Sequence, residues 1–253
     1  GTTLTFTAAP SSNSGNNIFV YYLFRTVGTV GHPSNQALSA TTGTFSDNVT
    51  LTGTTPTLTI GDAGAEDTKI VFDGNAQDFH IGLDDSADSL TIGLGSTLGT
   101  TSHMIFDANG HITKPLQSAF HATKQNVSSS DQDDLAVGGS VTTITFDDER
   151  FDQNSDFNTS TSTFTAPVTG KYYLKTGMYL QNIDSAASYI QFRINTSNKE
   201  YITIISPDNF TSDINYYSGT IDVLADMDAS DTATVRITIT GGAAQADVQA
   251  NSS

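Results

Sequence analysis

The side chains able to do chemistry in this chain are histidines and carboxylates, and their spacing limits what they can do. His32, His80, His103, His111 and His121 stand far apart, with no His-x-His and no His-Glu-x-x-His pattern among them. In an assembly with threefold symmetry, one of them near the axis would form a ring of three imidazoles able to hold a metal. A packed or surface histidine is the simpler reading. Two aspartate runs, Asp84-Asp85-x-x-Asp88 and Asp131-x-Asp133-Asp134, offer oxygen ligands to Ca²⁺. Neither has the loop length, the internal Gly or the closing Glu of a dedicated calcium loop, and aspartate is itself a preferred turn residue.

The densest acidic group is Asp147, Asp148, Glu149, Asp152 and Asp156. A glycosidase needs two carboxyls about 5–9 Å apart across a cleft. Here all five fall on one strand-to-loop stretch, no other segment offers an obvious partner, and there is no Trp to serve as a sugar platform. A Ca²⁺ site completed by Asp226 or Asp228 is the better use of these acids. Cysteine is absent, which removes thiolate nucleophiles, disulfides and cysteine-ligated metals together. No Gly-x-Ser-x-Gly elbow and no phosphate-cradling Gly loop are present. The expectation is no enzyme, no catalytic residue and no cofactor, with structural calcium as the one metal worth testing.

Recognition chemistry is better represented. Ser206-Pro207-Asp208-Asn209-Phe210-Thr211-Ser212-Asp213 reads as a long polar connection between two strands, with an aromatic in its middle. Exposed, Phe210 is an anchor for a sugar or protein receptor, flanked by Asp208, Asn209 and Asp213. Tucked under the loop or into a subunit interface, it is packing. Tyr172, Tyr173, Tyr216 and Tyr217 read as strand residues that alternate between inner and outer faces.

These side chains must be positioned by β structure. Only 15% of the 253 residues are charged, so Ser, Thr, Asn and Gln must build most of the surface, as in Thr-rich β proteins. The net charge of −17, with only ten basic residues, cannot supply the basic stripe that nucleic acid requires. The longest apolar run, Ile18 to Phe24, is far too short to span a membrane. Charge divides the chain into three segments: +1 over 1–44, −8 over 45–115 and −10 over 116–253.

The first segment alternates at Thr3-Leu4-Thr5-Phe6-Thr7, turns near Pro10 and continues as an aromatic strand from Ile18 to Val27, like the end of a β domain whose start lies upstream. The second contains an internal repeat. Leu58-Thr59-Ile60-Gly61 recurs as Leu90-Thr91-Ile92-Gly93, a shift of 32, and Lys69-Ile70-Val71-Phe72-Asp73 recurs as His103-Met104-Ile105-Phe106-Asp107, a shift of 34. Strands this short cannot bury a core alone, and two copies are few for a stacked solenoid. Association with further copies of the chain is the expected remedy, as a shaft of about three chains.

The third segment predicts about eight strands. They begin at Ser118–Ala122, Val141–Asp147 and Thr163–Ala166, followed after a Pro167–Gly170 turn by a returning strand with Tyr172. Four more follow at Tyr189–Ile194, Glu200–Ile205, Tyr216–Leu224 and Thr232–Thr240, with one helical turn at 182–188. Phe120, Phe146, Phe164, Pro167, Gly170 and Tyr172 are its expected structural core.

The series Ala119-Phe120-x-Ala122, Ile144-x-Phe146-Asp147 and Phe164-Thr165-Ala166-Pro167-Val168-x-Gly170-x-Tyr172-Tyr173 resembles the C1q/TNF-like head domain. The resemblance covers about residues 116–240 and implies a trimeric jelly roll. Its final aromatic-Gly-aliphatic strand is missing from the sequence, and no collagen-type stalk precedes it. The stretch from Asn48-Val49-Thr50-Leu51 through the repeats to Asn109-Gly110-His111-Ile112 is similar to bacteriophage tail-fibre and virion-fibre sequences, as is the opening Gly1–Phe6.

Together these resemblances imply an elongated, homotrimeric, all-β virion fibre on the outside of a phage, attached to other tail or capsid proteins. Its head would meet a host-surface glycan or protein, and neither nucleic acid nor membrane insertion is expected. A decoration fibre without a receptor and a bacterial surface adhesin with the same head are the alternatives.

Overall fold

The computed structural model describes residues 40–124, 131–243, 245–250 and 252. The expected strands at 3–7 and 18–27, and His32, lie outside the described residues. The chain divides into two units, residues 1–58 and 59–253. In the first, the described residues 40–58 carry no strand and are exposed. The second is all-β and antiparallel throughout, with one short 3-10 turn as its only described helix.

The repeated segment folds as a five-stranded meander in chain order: β1 (Thr68–Phe72), β2 (Phe79–Asp84), β3 (Ser89–Leu94), β4 (Ser102–Asp107) and β5 (Ile112–Thr113). Its turns are made by aspartate side chains accepting backbone N–H groups, the chemistry that favours Asp in turns. The Asp84 carboxylate accepts from Ala87 N at 3.1 Å, and Asp107 accepts from Asn109 N at 2.9 Å and His111 N at 2.8 Å. The two halves of the repeat do not fold alike. Leu90-Thr91-Ile92-Gly93 lies in β3, while the same four residues at 58–61 lie in no strand.

Register settles the two faces of this sheet, because directly opposed residues point to one side. Ile70, Ile81, Ile92 and Met104 form one cross-strand row; Phe72, Phe79 and Leu94 form a second; Leu83, Leu90, Phe106 and Ile112 form a third. All three rows are on the same face. On the other face, Gly82 and Gly93 leave room for the chain itself. A Cβ at Gly82 would lie 2.8 Å from the Leu98 side chain, and one at Gly93 would lie 2.7 Å from the His80 ring. His80 and Thr91 are buried there.

The following strands are β6 (Phe120–Thr123), β7 (Val141–Thr143), β8 (Asp148–Asp152), β9 (Phe157–Asn158), β10 (Thr163–Thr165), β11 (Gly170–Ile183), β12 (Ala187–Thr196), β13 (Glu200–Ile205), β14 (Ile214–Met227), β15 (Thr232–Gly241) and β16 (Asp247–Val248). One sheet runs β13-β12-β15-β10-β9, with β7 also on β15; a second runs β14-β11-β16; β6 and β8 pair separately. The inner residues of the two larger sheets share one core, in which Leu180, Ile183, Ile190, Met227 and Val248 are fully buried.

Several expectations change here. β10 and β11 are not a hairpin: β10 pairs with β15 and β9, β11 with β14 and β16. Pro167 cannot donate to a ladder, so the turn carries the chain from one sheet to the other. The helical turn at 182–188 is replaced by a tight β connection, with Asn182 at φ 56° and the Asp184 carbonyl accepting from Ala187 N at 3.1 Å. Past residue 240, where no strand was expected, β16 pairs with β11.

Candidate functional site

The β13–β14 connection is built by proline. Pro207 opens a 3-10 turn over Pro207–Asn209 and is itself buried, and Phe210 N closes the turn by donating to Pro207 O at 2.9 Å. The turn pushes Asp208, Asn209 and Phe210 outward. Asp208 and Asn209 are exposed, and Phe210 is 45% exposed.

Asp213 plays a different part. Its Oδ1 accepts from Ser185 N at 2.9 Å and Ser185 Oγ at 2.8 Å, tying the loop to the β11–β12 connection. Those hydrogen bonds, the backbone one first, hold its carboxyl below the usual aspartate value. The residues after β15 approach the same end: Asp184 Oδ2 accepts from Ala243 N at 2.6 Å, and Asp247 accepts from Asp134 N and Asn182 Nδ2, both at 2.8 Å. A polar hollow of about 380 Å³ lies among Asp134, Asn182, Asp213, Asn215, Gln245 and Asp247. The hollow and Phe210 share the β13–β14 connection through Asp213, which lines the hollow three residues after Phe210.

The acids singled out by spacing are largely engaged in local structure. Asp152 accepts from Asn154 N, Asp156 N and Phe157 N; Asp148 pairs with Arg150 at 2.8 Å; Asp226 pairs with Lys171 across the β11–β14 ladder. Asp131 accepts from Gln181, Gln249 and Ala250, and Asp228 from Thr169 Oγ1. Among the described residues no group of three or more His, Asp or Glu is placed to hold a metal ion.

The histidines are scattered as well. His80 is buried with Nδ1 2.9 Å from Gly95 O. His103 meets Phe79 edge-on, His111 bonds the Asp107 carboxylate at 2.8 Å, and His121 meets Phe151 edge-on. The His111 hydrogen bonds lower the Asp107 carboxyl below its ordinary value.

Of the expected core, Phe146 and Phe164 are buried, and Phe120 and Tyr172 pack against them. Phe120 stacks on Phe164 at 5.1 Å and on Phe157 at 4.9 Å. Tyr172 leans on Phe164 and donates its hydroxyl to Val168 O at 2.6 Å, which clamps the turn after β10. Pro167 is not core but exposed, and Gly170 is half-buried; both shape the turn, for which a fixed φ and a small residue are what is needed. Tyr173 and Tyr216 face out and Tyr172 and Tyr217 in, as strand alternation requires.

Two features were not anticipated. An apolar cavity of about 410 Å³ opens between β6 and β11, lined by Phe120, Phe146, Phe157 and Phe164. At the opposite end of the sheets from Phe210, a polar groove of about 440 Å³ runs past Asn195, Lys199, Glu200 and Arg236. Arg193 stands opposite Arg236 in the ladder and is held by Glu200 at 3.1 Å. Like charges directly opposed cost stability, and only the β12–β15 register reveals that these two meet.

The chain matches no protein-family model and no curated protein.

Proposed function

We propose that this chain is a structural segment of a virion fibre, of the tail-fibre kind, that assembles as a homotrimer and presents a C1q/TNF-like jelly-roll head to a host receptor. The observation that carries the reading is the pairing of two unlike β modules in one chain. A short-stranded meander exposes a whole apolar face, and a two-sheet unit with a closed core follows it. A fibre needs both: a repetitive part completed by other copies, and a self-contained tip. The resemblance of 116–240 to the head family agrees with the two-layer arrangement of β10–β15.

The tip's job follows from its loops. Phe210 with its exposed neighbours Asp208 and Asn209 gives an aromatic surface next to polar groups, suited to a sugar or a peptide on a cell surface. Three copies presented together raise weak affinity by about 10² to 10⁴ through avidity. The chain's charge of −17 repels it from anionic cell surfaces at long range, so contact must be short-ranged or bridged by divalent cations such as Ca²⁺.

The test is binding of the purified full chain to a panel of bacterial cells and their surface glycans. Saturable binding that Phe210→Ala weakens about tenfold or more is expected, in line with an aromatic anchor. Binding that is indifferent to Phe210, Asp208 and Asn209 would move the receptor site elsewhere. No binding to any cell would leave a decoration fibre as the reading.

A further inference from the structure

We infer that the apolar face of β1–β5 is the surface on which copies of this chain pack against one another. The inference rests on the trimeric fibre proposed above and names the surface that would build it.

Three observations lead there. The face is uniform. Its three rows span three or four strands each, together reach all five and contain no charged side chain, and the best exposed members include Phe72 at 55%, Leu83 at 45% and Ile112 at 57%. It is also one-sided. The reverse face is closed by the chain's own 95–101 segment, with Leu94 N donating to Thr101 O, Gly95 N to Asp78 O, and His80 buried beneath. A second layer can therefore arrive from one direction only, and a single sheet requires one to bury its apolar side.

The third observation is size. Taking roughly 200 Å² for a fully exposed large side chain, the seven residues of this face that are more than a third exposed present roughly 600 Å² between them. That is the upper end of what monomers leave open, about 300–600 Å². With the half-buried Ile92, Leu94, Met104 and Phe106 it approaches the ~800 Å² per partner of a stable interface.

The occupant is a further copy of the same face. A surface whose only polar side chains lie at its edge, Thr68 opposite Leu83 and His103 against Phe79, has little with which to select a partner by electrostatic complementarity, but flat rows of Ile, Leu and Phe complement themselves. The acids of this region, Asp73, Asp78, Asp84, Asp85 and Asp107, lie at strand ends or in turns, so they stay in water when faces meet. Three faces turned inward about an axis hide all of it and close, as cyclic homo-oligomers do.

The absence of cysteine makes the test clean. The full chain is made in four forms: unaltered, Ile81→Cys at the centre of the face, Lys69→Cys on the reverse face as control, and Ile81→Glu. Sedimentation equilibrium is run on the unaltered and Glu forms, and a short bismaleimide is applied to the Cys forms. The expected result is about 80 kDa for three chains of 26.7 kDa, cross-linking through Ile81→Cys alone, and a monomer for Ile81→Glu.

A trimer that survives Ile81→Glu, with no cross-link at Ile81→Cys, overturns this face and leaves the fibre reading standing, with the contacts elsewhere. A monomer without cross-linking overturns both, because the face is then covered by the chain's own residues or by a different protein. A dimer cross-linked at Ile81→Cys upholds the face and overturns the threefold arrangement. The Cys form changes one side chain to a smaller one, so the test does not depend on Ile81→Glu folding.

Discussion

The β1–β5 sheet and the two-sheet unit that follows it use the same strand grammar and reach opposite results. Both alternate apolar and polar side chains, and both turn on Asp, Asn and Gly. In the second, the apolar side of β11–β14 meets that of β12–β15, and Leu180, Ile190 and Ile237 disappear from solvent. In the first, Ile70, Ile81 and Leu90 are as regularly arrayed and remain exposed. Alternation thus tells which residues share a face. Whether that face finds a cover within the chain depends on a second layer that alternation does not encode.

The largest effect that would test this contrast is in the closed core. Phe164 is 2% exposed and touches both Phe120 and Tyr172. Phe164→Ala should destabilise the two-sheet unit by about 3–5 kcal/mol, transfer and cavity terms together. Thermal unfolding followed by near-UV dichroism measures it. A loss below about 1 kcal/mol would mean that the core repacks freely and is not the rigid counterpart of the open sheet.

The sequence made some of this contrast legible. β13 was readable residue for residue, because Tyr, Ile and Thr fill it, and β15 nearly so, because polar and apolar residues alternate from Thr232 to Thr240. β8 was not. Asp148-Glu149-Arg150-Phe151-Asp152 reads as an acidic loop, and only pairing with β6 makes it a strand, the tertiary override that β propensity always allows. The identical Leu-Thr-Ile-Gly motifs make the same point, since β3 has β2 and β4 beside it while 58–61 has no strand neighbour among the described residues. At the candidate site, the exposure of Phe210 could be raised only as a possibility from its polar flanks. The bond from Ser185 to Asp213 joins residues 28 apart and has no local signature.

A smaller effect probes the closed side of the open sheet. A Cβ at Gly93 would fall 2.5 Å from the Thr101 carbonyl oxygen and 2.7 Å from the His80 ring. Gly93→Ala should cost about 1–3 kcal/mol, the usual range for overpacking. Amide exchange across β2 and β3 would report it, with the two-sheet unit unaffected. His80→Ala in the same chain should relieve only part of the cost, because the Thr101 backbone remains. Full rescue would mean that the 95–101 segment yields and that the reverse face is less firmly closed than its hydrogen bonds suggest.

The smallest effect sharpens the comparison at the turns, where both regions rely on aspartate. Asp213 is held below the ordinary aspartate value of 3.8 by the Ser185 backbone and side-chain hydrogen bonds, and Asp107 is lowered by those of His111. A carboxyl whose folded value is depressed contributes fully above its unfolded value and loses that contribution as pH falls through the folded one. Both should therefore hold their turns unchanged from neutral pH down to about 4 and release them only below 3.8. The Ser185 and His111 amide resonances would follow the two carboxyls during an acid titration. A midpoint above 3.8 at Ser185 would mean that Asp213 does not accept those bonds in solution, and the β13–β14 loop would then lose the tie that positions Phe210.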